Sequence, residues 1–172
     1  GARQRSRLGW KNNEVKKLRK VMTRVKYESK DDLDKEKNVL RHMSDKWDMS
    51  YSKLPLTYKL DYVMYRSEKL LGFAEVKCRL NSVHDFSTYI ISLSKVIIAR
   101  RLASVTGTKS VLFVSWSDAT GWIDFFCDFE VKQGGRSDRD DWQDQEPVCH
   151  FDINDFKIIS HSDLSAAKKE QT

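Results

Sequence analysis

Asp61 and the run Glu75-Val76-Lys77 are the residues of this 172-residue chain whose types and spacing best suit chemistry. Two extended runs, 58–66 and 70–80, flank the turn-like Ser67-Glu68-Lys69. If that turn closes a hairpin in which Arg66 faces Leu70, Asp61 sits opposite Glu75 with Cβ atoms roughly 5 Å apart. Alternation then sets Lys77 on the same face as Glu75. Two carboxylates so close repel, and a divalent cation that takes hard oxygen ligands (Mg²⁺, Mn²⁺ or Ca²⁺) relieves the repulsion. The Val76 backbone carbonyl could act as a further ligand. A lysine beside the pair can act on an attacking water and steady the charge of a phosphorane-like transition state. These are the parts of a metal-assisted phosphodiester hydrolysis site. The same spacing also fits an exposed sheet face carrying a Glu75–lysine ion pair, and a one-residue slip of register would separate the carboxylates.

The elements that must hold these residues follow from hydrophobic periodicity. The other face of the hairpin carries Leu60, Tyr62, Met64, Leu70, Ala74, Val76, Cys78 and Leu80, an apolar surface for a core. Upstream, a helix opening at Asp31 or Asp32 and running to about Trp47 has the stripe Leu33, Leu40, Met43 and Trp47, with Val39 alongside. Glu36 falls on that stripe. A carboxylate there is costly unless a charge meets it, or it snorkels from the stripe's edge. Downstream, 85–105 reads as one long helix capped by Gly107. Lys95 emerges from its Ile91, Ile98 and Leu102 stripe, to contact a water or phosphate or to snorkel. A short extended stretch precedes Pro55, strands are expected at 111–116 and 122–126, and a final strand-like piece at 148–159. A polar loop spans 132–147. The order of helix, strands, helix and strands indicates an α/β domain.

Composition narrows the partners. With 40% apolar and 33% charged residues the chain can build a core, which excludes a wholly disordered polymer. No apolar run is long enough to span a bilayer. The basic and polar first thirty residues do not resemble a secretory signal, which leads to the expectation of a cytoplasmic protein. Cys78, Cys127 and Cys149 are too widely spaced for a zinc motif, and no Cys-x-x-Cys pair occurs. The net charge of +6 is unevenly spread: residues 1–30 hold eleven Lys/Arg against two acids, a net of +9, and the remainder is −3. Within that basic arm a helix over 12–27 would present Lys16, Lys17, Arg19, Lys20 and Arg24 to a phosphate backbone, with an anionic membrane or simple packing as the alternatives.

Asp61 followed by Glu75-Val76-Lys77 resembles the signature of the PD-(D/E)xK nuclease superfamily. The core of that superfamily runs helix, three-stranded meander, helix, strand, and the resemblance covers about residues 31–126, with Leu60 where proline often stands. It implies a restriction-endonuclease-like α/β domain over 31–160, between a basic arm (1–30) and a C-terminal tail (161–172). It also implies a Mg²⁺- or Mn²⁺-dependent deoxyribonuclease, with DNA as partner and a homodimer as a frequent assembly at this size, while the small size and lack of a targeting signal lead to the expectation of a bacterial or phage origin. In members similar to Holliday-junction resolvases a first-helix glutamate joins the metal site, and Glu36 is the matching position. The implied metal set is therefore Asp61, Glu75, Val76 and Glu36, with Lys77 and Lys95 at the chemistry and Arg79 on phosphate. The alternative is a nucleic-acid-binding accessory module of the same fold without turnover, serving replication, recombination or packaging.

Overall fold

The computed structural model describes residues 29–55, 58–134 and 146–160. The arm residues Lys16, Lys17, Arg19, Lys20 and Arg24, the tail 161–172 and most of the polar loop lie outside the described residues.

Helix α1 (Lys30–Trp47) is capped earlier than Asp31 or Asp32 would give, because the Ser29 hydroxyl accepts the Asp32 N–H at 3.1 Å. It buries Val39, Leu40 and Met43, while Leu33 and Trp47 of the expected stripe are only half-buried. Strand β1 (Ser50–Lys53) follows, then β2 (Tyr62–Arg66) and β3 (Lys69–Cys78). The β2–β3 hairpin closes one residue tighter than expected, with Arg66 opposite Lys69 rather than Leu70. Ser67 and Glu68 form its two-residue turn, with φ of 44° and 65°, the left-handed pair that suits the twist of a hairpin. A register shift between Met64 and Tyr65 then restores the expected pairing, so Met64 faces Gly72 and Tyr62 faces Ala74. Continued beyond the ladder, that register sets Asp61 across from Glu75.

The long helix expected over 85–105 is two elements: β4 (Thr88–Ser92) and α2 (Leu93–Thr106). The β-favouring run Thr88-Tyr89-Ile90-Ile91 pairs with a later strand, and the Ser92 hydroxyl caps the helix that follows, accepting the Lys95 N–H. Gly107 ends α2 in the left-handed conformation, as expected. Next come β5 (Lys109–Ser115), β6 (Ala119–Asp124), the unforeseen short β7 (Glu130–Lys132), β8 (Val148–Asp152) and β9 (Lys157–Ser160). The single piece expected at 148–159 is thus two strands, broken by a 3-10 turn at Ile153–Asp155.

The main sheet has the order β1-β2-β3-β5-β6-β9, in which β3 and β5 are parallel and the other pairs antiparallel. A smaller sheet runs β4-β8-β7. Two apolar cores lie on opposite faces of the main sheet. One is built by α1 with Tyr62, Met64, Ala74, Val76 and Phe113, the other by α2 and β4 with Leu112, Val114, Trp116 and Phe125. A mixed sheet with a helix against each face is an α/β architecture, as read from the element order.

Three expectations for the hairpin's apolar face need correction. Leu60 is buried, yet in the α2-side core, because β2 starts only at Tyr62 and the chain bends before it. Leu70 is only half-buried. Leu80 is 94% exposed, because β3 ends at Cys78. Among the described residues no helix is long and apolar enough to cross a membrane.

Candidate active site

Strand β3 is paired on both edges, with β2 and β5, and the two apolar cores cover its faces along Ala74–Val76. Glu75 is consequently 0% exposed. That removes the exposed-face alternative for Glu75. Lys77 Nζ lies 2.8 Å from Glu75 Oε1, and Lys95 Nζ, rising from the first turn of α2, lies 2.5 Å from the same oxygen. Glu75 Oε2 is buried without a hydrogen-bond partner. Burial pushes the Glu75 carboxyl above the ordinary carboxylate value, with Lys77 and Lys95 opposing the shift and Asp61 adding to it. Burial lowers the Lys95 ammonium, only partly offset by Glu75. For Lys77 burial is again the largest single effect, but the attractions of Glu75 and Asp61 together outweigh it and the net shift is upward.

Asp61 stands where the chain enters β2. Its N–H donates to the Ala74 carbonyl at 3.1 Å, and its Oδ2 accepts the Val76 N–H at 3.2 Å. The second contact ties one carboxylate to the backbone between Glu75 and Lys77. In an antiparallel pair the N–H and C=O of one residue point to the same neighbour. The Val76 carbonyl is therefore directed to the side where the β2 ladder has ended, at Tyr62 opposite Ala74.

Glu36, on the inward face of α1, accepts from the Tyr62 hydroxyl at 3.0 Å and from Lys53 Nζ at 3.1 Å. Here is the charge that an inward carboxylate required. Lys53 also lies 3.9 Å from Asp61 Oδ1 and 4.7 Å from the centre of the Tyr62 ring. It links α1 to the hairpin, and sequence reasoning passed over it. Its place on the four-residue strand β1 gives no local sign of that role, which depends on α1 meeting the hairpin. Arg79, just past β3, extends over the Tyr89 ring at 5.2 Å.

Asp61, Glu75, Lys77 and Lys95 thus come together, and Glu36 joins them through Lys53 rather than directly. Among the described residues no group of three His, Cys, Asp or Glu side chains is gathered tightly enough to hold an ion. What does suit a hard cation is a buried carboxylate oxygen with no partner, on a glutamate near enough to Asp61 for that second carboxylate to raise its pKa.

A helix, an antiparallel meander, a second helix and a parallel strand, with Asp and Glu-x-Lys at the centre, define a PD-(D/E)xK-type nuclease core. The chain matches the model of the family described as "Phage putative PDDEXK endonuclease" over residues 22–159, and it belongs to that family. Among solved structures it is similar to that of Hjc from Archaeoglobus fulgidus, a Holliday junction resolvase from an archaeal hyperthermophile. The two share 16% identity over 69% of this chain and 84% of that one, with a TM-score of 0.45. No curated protein matches the chain.

Proposed function

We propose that the protein is a divalent-metal-dependent DNA endonuclease, using Mg²⁺ or Mn²⁺, with Asp61, Glu75, Lys77, Lys95 and Glu36 as its working residues. The observation that carries this reading is Glu75: fully buried, flanked by two lysines, and left with one unpartnered oxygen. A carboxylate kept only for structure would have that oxygen satisfied.

Asp61, Glu75 and the Val76 carbonyl would hold the cation, with Glu36 supporting from α1. Once bound, the cation supplies charge neutralisation at the scissile phosphate and lowers the pKa of water. The chain's own residues do the rest. The Val76 N–H fixes the Asp61 carboxylate in place. Lys77 opposes the upward shift of the Glu75 carboxyl and presents an ammonium to the phosphate oxygens where charge develops. Lys95, whose ammonium burial makes easier to deprotonate, is suited to exchange a proton with the attacking water or leaving oxygen. Arg79 contacts a neighbouring phosphate. The Tyr62 hydroxyl and Lys53 keep Glu36 oriented. Residues 31–160 form the nuclease domain and the basic arm adds sequence-independent affinity for DNA.

Asp61→Asn tests the reading. The amide oxygen can still accept the Val76 N–H, so the variant should stay folded. It should lose plasmid cleavage and bind Mn²⁺ more weakly in calorimetry, yet hold DNA at least as tightly because one negative charge is gone. Robust cleavage by purified Asp61→Asn would end the assignment.

A further inference from the structure

Between β3 and β4 the segment 80–87 presents apolar side chains to water while being firmly braced. Leu80 is 94% and Phe86 65% exposed. Yet Ser82 N–H donates to Asp85 Oδ2 at 2.8 Å, Val83 N–H to Asp118 Oδ1 at 3.0 Å, and Ser117 N–H to the Asn81 carbonyl at 3.1 Å. The Ser82 hydroxyl also donates to Asp118, and the Ile153 N–H closes the far end on the Ser87 carbonyl at 2.9 Å. The exposure is therefore built into an ordered loop. Under it lies a cavity of about 290 Å³ lined by Arg79, Phe86, Ser87, Tyr89, Trp116 and Ile153. Three of those side chains are aromatic, and Trp116 meets Tyr89 edge-on at 6.2 Å.

The position of this cavity identifies its occupant. Glu75, Lys77 and Arg79 succeed one another on one face of the chain, roughly 7 Å apart per step for extended backbone. A strand of DNA with a phosphate at Glu75 and Lys77 has its next nucleotide near Arg79. Guanidinium and aromatic planes are the surfaces on which unpaired bases stack. Exposed apolar side chains on rigid elements are what wedges between base steps require.

We propose that the 80–87 loop is a base-unstacking element, in which Phe86 stacks a nucleobase that enters the cavity beside Arg79. The proposal rests on the nuclease reading and narrows its substrate to DNA with an unpaired or easily unstacked position beside the scissile phosphate.

The test uses the full chain in EDTA with two oligonucleotide duplexes, one fully paired and one carrying 2-aminopurine as a single-nucleotide bulge. Wild type should bind the bulged duplex more tightly and quench its fluorescence. Phe86→Ala should lose roughly 5- to 100-fold of that preference together with the quenching, the worth of one base–aromatic stack. Phe86→Trp should keep both, and the melting temperatures of the two variants should stay that of wild type. Cleavage of the same DNAs with Mn²⁺ is scored separately. If wild type cleaves but Phe86→Ala binds and quenches as it does, the loop proposal falls and the nuclease reading stands. If wild type neither binds nor cleaves, both fall. A dimer in sedimentation that Phe86→Ala dissolves would make this surface a contact between copies and overturn the proposal.

Discussion

Lys53 illustrates how a single side chain changes the account of the site. Its ammonium sits on Glu36 and within 3.9 Å of Asp61, so in the metal-free chain it provides the positive charge that those carboxylates need. On the proposed reading, a divalent cation held at Asp61 would compete with it. Lys53→Met should therefore raise Mn²⁺ affinity by about two- to fivefold, the scale of a partly solvated ion pair. Calorimetry on the two proteins reads this directly, and weaker metal binding in the variant would show that Lys53 organises the carboxylates instead. Glu75 allows a second test, by pH. Burial raises its carboxyl, so the folded chain holds that proton more readily than the unfolded one. Ionising it thus costs stability as pH rises from the ordinary carboxylate value through the raised one, and the stability returns as pH falls. In EDTA, wild type should gain on Glu75→Gln as the pH is lowered across that window, followed by urea unfolding. A gap that moves the other way would mean the two lysines outweigh burial. Asp61, Glu75 and Lys77 were legible in the sequence because a period of two makes strand faces readable. Lys53 was not, since its role depends on two elements meeting.

Individual elements show where local pattern suffices and where it does not. The register that sets Asp61 across from Glu75 was inferred from a three-residue connection. The real hairpin has a two-residue turn and a compensating shift at Met64/Tyr65, and the two differences cancel at the site. The helix expected over 85–105 failed because Ile91, Lys95, Ile98 and Leu102 obey helical spacing although Ile91 belongs to a strand. Apolar runs flanked by β8, a strand that sequence places 56 residues beyond β4's end at Ser92, give no local sign of that pairing. Lys95 reached the site all the same, from the first turn rather than the middle of its helix. The close approach of β3 and β5 depends on one small residue. A Cβ at Gly72 would lie 2.1 Å from the Lys109 carbonyl oxygen, and backbone cannot rotate aside as a side chain can. Gly72→Ala should cost about 1–3 kcal/mol or more in urea unfolding. Since β3 carries Glu75 and Lys77, Mn²⁺ affinity should fall with it. An unchanged midpoint would mean the strands separate there without penalty.

At the scale of the whole molecule, charge and family membership divide the chain differently from the fold. The family match begins at residue 22, so most of the basic arm lies outside it. Helix α1 is capped by Ser29, and its buried residues Val39, Leu40 and Met43 pack on the sheet. Deleting residues 1–28 preserves that cap and removes ten Lys/Arg and two Glu. The core that remains carries more acid than base, and would meet a polyanion with little long-range attraction. Every phosphate that the arm no longer neutralises should reduce the slope of log affinity against log salt by about 0.9 on duplex DNA. The truncated protein should therefore melt as the full chain does, bind DNA more weakly at low salt, and converge with the full chain as salt rises and screens the arm's charges. Mn²⁺-dependent cleavage should persist at high enzyme concentration, because Asp61, Glu75 and Lys77 are untouched. Fluorescence anisotropy over a series of salt concentrations, for both proteins, supplies the slopes. Equal slopes would show that the arm's cations do not touch phosphate, and a lower melting temperature would show that the arm packs on the domain instead.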